Sequence, residues 1–103
     1  MRIIELSSQA EKRLEEITDY YLLHETIDRT LKVLTSFDTA FIKIRDQAFA
    51  FKKFISTEFI NLDIRVYSHF KTYHIYFVVY PEKIRIAEIF HLKQASDKLL
   101  LDL

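Results

Sequence analysis

The second half of this chain carries the side chains best suited to chemistry near neutral pH. His91 closes a hydrophobic run, and an imidazole there can give or take a proton. Arg65 lies between Ile64 and Val66, and a guanidinium can grip phosphate or carboxylate through two parallel hydrogen bonds. Tyr67, His69, His74 and Tyr76 alternate with apolar residues, which places them on an exposed sheet face. Rings on such a face stack on nucleobases; aromatic residues are equally ordinary strand formers. The plainer readings are a solvated Arg65 on the outer face and a His91 bonded to backbone at a strand end. The spacing of His69, His74 and His91 matches no metal-ligand pattern, so neither a metal nor a cofactor is expected.

Composition narrows the classes. The chain has 103 residues, 15 basic and 15 acidic, for a formal net charge of zero. One domain over residues 1–103 is the expectation, since that length buries enough surface for one core. A protein that binds nucleic acid mainly through phosphates usually has a basic excess, and none is present. Cysteine is absent, which removes disulfides, thiolate metal sites and cysteine nucleophiles. Glycine is absent too, which removes the glycine-rich phosphate loops. Turns with positive φ must then use other residues, with Asn61 the favoured one. Residues 1–5 lack the apolar core of a secretory signal, and the longest apolar run, Ile75–Tyr80, is far too short to span a bilayer. A cytoplasmic protein with no membrane partner is expected.

The elements that must position these residues are legible from periodicity. Arg2–Leu6 reads as a strand. Ser8 and Glu11 fit a capping box opening a helix over Gln9–Leu23, with Ala10, Leu14, Ile17 and Tyr21 as its apolar stripe. Thr26 caps a second helix, in which Ile27, Leu31, Leu34, Phe37, Phe41, Ile44 and Ala48 recur at steps of three and four. It is expected over Ile27–Phe49, with the same spacing continuing towards Phe54. From Asn61 the period changes to two. A two-residue turn at Pro81-Glu82 would pair Phe77 with Ile86 and Val78 with Arg85, leaving Val79, Ile84, Phe77, Ile86, Tyr73 and Phe90 on one buried face. Gln94–Leu101 reads as a short helix. The fold class is α+β: an N-terminal strand, then an antiparallel helical hairpin packed on an antiparallel sheet of about four strands, then a short C-terminal helix. The far side of the sheet is expected to stay free.

In this order the segments resemble one family. Ile4-Glu5-Leu6-Ser7-Ser8-Gln9-Ala10-Glu11 running into Leu14 and Ile17, then Ile64-Arg65-Val66, Tyr73–Val79 and Ile84–His91, are similar to the ParE/RelE superfamily of type II toxins, on its ParE-like plasmid-stabilisation branch. After His91 the chain runs Leu92, Lys93, Gln94, where the family often has glycine and then arginine. The resemblance implies a cytoplasmic toxin neutralised by a cognate antitoxin, acting by contact with DNA gyrase and not as an enzyme. Arg65, Tyr67, Lys93, Leu99 and Leu100 would then meet the target or the antitoxin, and a homodimer is a further partner the resemblance allows. The alternative is a RelE-type ribosome-dependent mRNA interferase, an endoribonuclease with Arg65, His91 and Tyr76 as its catalytic residues. A third reading is a member that binds but poisons nothing.

Overall fold

The structure is a computed structural model and describes residues 2–55 and 57–91. The expected C-terminal helix, with Lys93, Leu99 and Leu100, lies outside the described residues. The described elements run β1 (Ile3–Leu6), α1 (Ser8–His24), α2 (Ile27–Gln47), β2 (Lys52–Phe54), β3 (Ile64–His69), β4 (Tyr73–Val79) and β5 (Lys83–His91), with single 3₁₀ turns at Ala48–Ala50 and Thr57–Phe59.

The helical hairpin forms where the periodicity places it, but its first cap is one residue earlier than expected. Ser7, not Ser8, is the N-cap of α1: its Oγ accepts the Ala10 amide at 3.0 Å and donates to the Ala87 carbonyl at 2.7 Å. The buried Ser7 therefore ties the start of α1 to β5 as well as capping it. Thr26 caps α2 as expected, its hydroxyl accepting the Arg29 amide at 3.1 Å. Asp28 in the first turn and Arg45 in the last complement the helix dipole.

The sheet differs from the expectation in two respects. It has five strands in the order β1-β5-β4-β3-β2, and it is mixed, because β1 runs parallel to β5. The extra strand is β2, paired antiparallel to β3 as Lys52↔Val66, Lys53↔Arg65 and Phe54↔Ile64. It occupies the segment into which the helical spacing of α2 seemed to extend. Phe51 keeps an inward position there, packing edge-on against Tyr67 and Phe77 from extended backbone. A residue can satisfy helical spacing and core burial without being helical.

The β4–β5 turn forms at Pro81-Glu82 with the expected pairs Phe77↔Ile86, Val78↔Arg85 and Val79↔Ile84. Beyond them the register slips: Tyr76 lies opposite Glu88, leaving Ala87 as an extra residue. This bulge moves Phe90 off the helix-covered face, where it was expected, to pack edge-on against Tyr76 on the opposite face. It also presents the Ala87 carbonyl to Ser7.

The main core lies between helices and sheet. Phe37, Ile44, Ile75, Phe77, Ile84, Ile86 and Ile89 are all fully buried there. Each contributes about 1.5–3 kcal/mol of burial. The α2 stripe splits in two. Phe37, Phe41, Ile44 and Ala48 are buried, whereas Ile27 and Leu31 are 70% and 57% exposed. The other face of the sheet is not free throughout. Ile64, Val78 and Ala87 form a second cluster there, covered by Phe54, Phe59, Leu62 and Tyr80.

Positive φ falls on Phe70 (54°) and Lys71 (56°) in the β3–β4 turn, not on Asn61. The Thr72 amide closes this turn on the His69 carbonyl at 3.0 Å. Two adjacent left-handed residues without glycine cost about 1 kcal/mol or more each. Stacking of Phe70 on His69, at 4.1 Å between ring centroids, helps to hold them.

Candidate functional site

His91 sits at the end of β5, opposite Tyr73, with the two rings edge to face at 5.4 Å. Both help to line a groove of about 530 Å³ between α1 and the ends of β4 and β5. The helix contributes Arg13, Glu16, Ile17, Tyr20 and Tyr21; the β3–β4 turn adds Thr72 and β5 adds Ile89. The α1 residues recur at three- and four-residue steps, so one helix face builds the wall.

The groove's charged residues are paired, Arg13 with a carboxylate outside the lining. Glu88 is 2% exposed, and its carboxylate accepts Arg13 Nε at 3.2 Å and the Ile89 amide at 2.9 Å. Arg13 also reaches Glu16 at 3.1 Å, giving an arginine bridged between two carboxylates. Burial, with the Tyr21 side chain beside it, pushes the Tyr73 phenol up to about 12. Near neutrality Tyr73 is therefore a hydrogen-bond donor and not a base. Chemically the groove offers an imidazole, phenol hydroxyls and an engaged guanidinium, a surface suited to gripping a polar or aromatic group.

Arg65 lies elsewhere. It shares the helix-covered face with Phe77, its β4 partner, and does not project from the outer face. All three of its nitrogens are engaged. Nε and Nη2 donate to the Asp63 carboxylate at 3.0 and 3.4 Å, and Nη1 donates to the carbonyls of Phe49 and Phe51 at 3.3 and 3.0 Å. Its side chain is 16% exposed, and its guanidinium also lies over the Phe49 ring. Arg2 covers the same ring at 5.1 Å while its Nε donates to the Tyr80 carbonyl. Arg65 thus clamps the segment leaving α2 onto the sheet.

Tyr67 and His69 follow the parity of Arg65 and point towards the helices, not to the outer face. His69 is 4% exposed, with Nε2 at 3.0 Å from Ser36 Oγ. Ser36 spends its only proton on the Val33 carbonyl, so it must accept from His69, which assigns the proton to Nε2. Burial lowers the His69 pKa.

His74 and Tyr76 do lie on the opposite face. Tyr76 is buried there between the rings of Phe54 and Phe90, and burial raises its pKa. Arg65, His91 and Tyr76 are therefore not brought together. Tyr76 is on one face, and His91 and Arg65 are on the other. Arg65 lies opposite Phe77 and His91 opposite Tyr73, four residues or about 13 Å apart along β4. The groove residues Arg13, Glu16 and Tyr20 were not singled out in sequence as functional, and Tyr73 was expected only as a buried face residue. Their signal was the three-and-four spacing of Arg13, Ile17 and Tyr20 beside the Tyr20-Tyr21 doublet.

No family model and no curated protein matches this sequence. Among solved structures, the chain is similar to one described as "Chromosomal ParDE TA system from P. aeruginosa", with a TM-score of 0.73 over 90% of this chain and 98% of that one, at 17% identity. At that identity the likeness is one of fold, and at the level of fold the ParE-like resemblance of the sequence holds.

Proposed function

We propose that this chain is the toxin component of a type II toxin–antitoxin pair, of ParE-like type. It acts by binding a protein target, for which DNA gyrase is the candidate, and a cognate antitoxin neutralises it. The fold likeness over nearly the whole chain supports the class. One observation carries the choice of binding over cleavage: Arg65, the residue that would hold a scissile phosphate, spends all three nitrogens on Asp63, Phe49 and Phe51. Phosphoryl chemistry needs donors aimed at developing charge on the substrate, and four of the five N–H donors of this guanidinium are already spent on the Asp63 carboxylate and two backbone carbonyls. The neutral net charge points the same way.

The test is induced expression of the chain alone, and together with the product of any short adjoining reading frame. Growth arrest relieved by that product, with loss of supercoiling by purified gyrase in the presence of the protein, is the expected result. Undiminished supercoiling at saturating protein would overturn the gyrase assignment. Normal growth would leave a binding domain without toxicity.

A further inference from the structure

Residues 22–29, the end of the helical hairpin, are all exposed. Leu22, Leu23 and Ile27 are among them, and Leu31 follows one turn further on, exposed as well. Single exposed leucines are ordinary, but these are not scattered. Ile27, Leu31 and the half-buried Leu34 form one row along α2, at steps of four and three, beside the row that enters the core. Asp28 and Lys32 flank this row on the side turned away from the core. Neither forms an ion pair among the described residues, whereas Glu25 and Arg29, one turn apart at the same end, pair at 3.6 Å.

The charge pattern says what covers the row. In an antiparallel helix pair each flank meets the same flank of its mate, and charges on the flanks set the orientation. A two-fold axis beside residues 30 and 31 would set Ile27 against the partner's Leu34, Leu31 against the partner's Leu31 and Asp28 against the partner's Lys32. Each unlike contact is then made twice, as a self-complementary interface requires. One axis serves all three because each pair is centred within a residue of the same point on α2. A partner bearing one sign of charge would leave either Asp28 or Lys32 unmatched. The bulk of the domain does not interfere. The fully covered α2 residues of the main core begin at Phe37, so antiparallel copies carry their sheets at opposite ends of the pair.

We propose that the chain associates with a second copy of itself through this face, α2 against α2 and antiparallel, about a two-fold axis beside Thr30 and Leu31. The inference stands on this face alone and does not require the chain to be a toxin.

The probe is the purified full chain by itself. Sedimentation velocity over a concentration series should show one chain passing into two, and added salt should weaken the association. Leu31→Asp should weaken it by about tenfold or more. Asp28→Lys and Lys32→Asp should each weaken it, because each sets like charges opposite one another. Mixed one to one, those two variants should associate with each other at least as well as the parent does with itself. The chain has no cysteine of its own, so any disulfide reports the introduced residue. Leu31→Cys should give a linked dimer on oxidation much faster than Ile42→Cys, an exposed site about three turns along the same helix. Each variant's circular dichroism must match the parent's. A single-chain species at every concentration, association unchanged by Leu31→Asp, a mixture no stronger than its components, or equal linking at the two sites would each overturn the proposal. So would a monomeric Leu31→Cys chain whose thiol resists a soluble alkylating reagent, since the chain itself would then cover the face.

Discussion

The two ends of the helix-covered face make opposite use of polar side chains. At the β5 end, His91, Tyr73 and Tyr21 line a groove in which Arg13 is paired with Glu16 and with Glu88 beside it. At the other, Arg65 is wrapped by Asp63, two carbonyls and the Phe49 ring. One end lines a groove with its functional groups; the other uses them to hold the chain together. A residue type therefore says little about role until its partners are counted. Arginine on a strand is a phosphate grip or a clamp according to whether its donors are spent.

That contrast can be broken by mutation. The largest effect is expected at the clamp. Arg65→Ala removes four hydrogen bonds and leaves two carbonyls and a carboxylate short of a partner, at about 2–3 kcal/mol. A urea titration reads it, and Arg65→Lys should restore only part, because an ammonium cannot reproduce the fork. A loss below about 0.5 kcal/mol would mean that the clamp is ornamental and the residue free for other work. Next is Ser7→Ala, which loses a helix cap and strands the Ala87 carbonyl at the bulge, for about 1–2 kcal/mol. Ser8→Ala, one residue on, should cost much less by the same measurement.

His69 sharpens the comparison through pH. Its folded pKa is lowered by burial, so below about 6.5 the unfolded chain takes a proton that the native state refuses. The stability it supports is complete above that pH. It falls as pH drops through the window between the unfolded and the folded value, then levels off. The urea midpoint should follow that course, and His69→Gln should flatten it. The smallest effect is expected at His91→Ala, within about 0.5 kcal/mol, since the side chain is half-buried at a strand end. A larger loss would place His91 with the structural residues and erase the distinction between the ends.

Much of this was legible in the sequence because periodicity reports burial directly. Ile44 and Phe37 on α2, and Ile75 and Phe77 on β4, fall inside as their spacing requires. The residues assigned to the wrong face share one cause, which is that parity along a strand depends on events periodicity does not record. The bulge at Ala87 turned Phe90 to the other face, and Arg65, Tyr67 and His69 took the helix side because β3 also buries Ile64 beneath Phe54, Phe59 and Leu62 on the opposite face. With both faces apolar, alternation in β3 does not say which set points at the helices. The groove was illegible for a different reason. Its walls come from α1, β4 and β5, more than fifty residues apart, and only the topology brings Tyr20 and Arg13 to His91.

The central claim is that this fold binds and does not cut. The most direct measurement is primer-extension mapping of cellular mRNA during induced expression of the chain, beside the same mapping for His91→Ala. The account predicts transcripts without new ends in either culture. Codon-positioned ends in the first that vanish in the second would contradict it, and would make the groove at His91 a nuclease site.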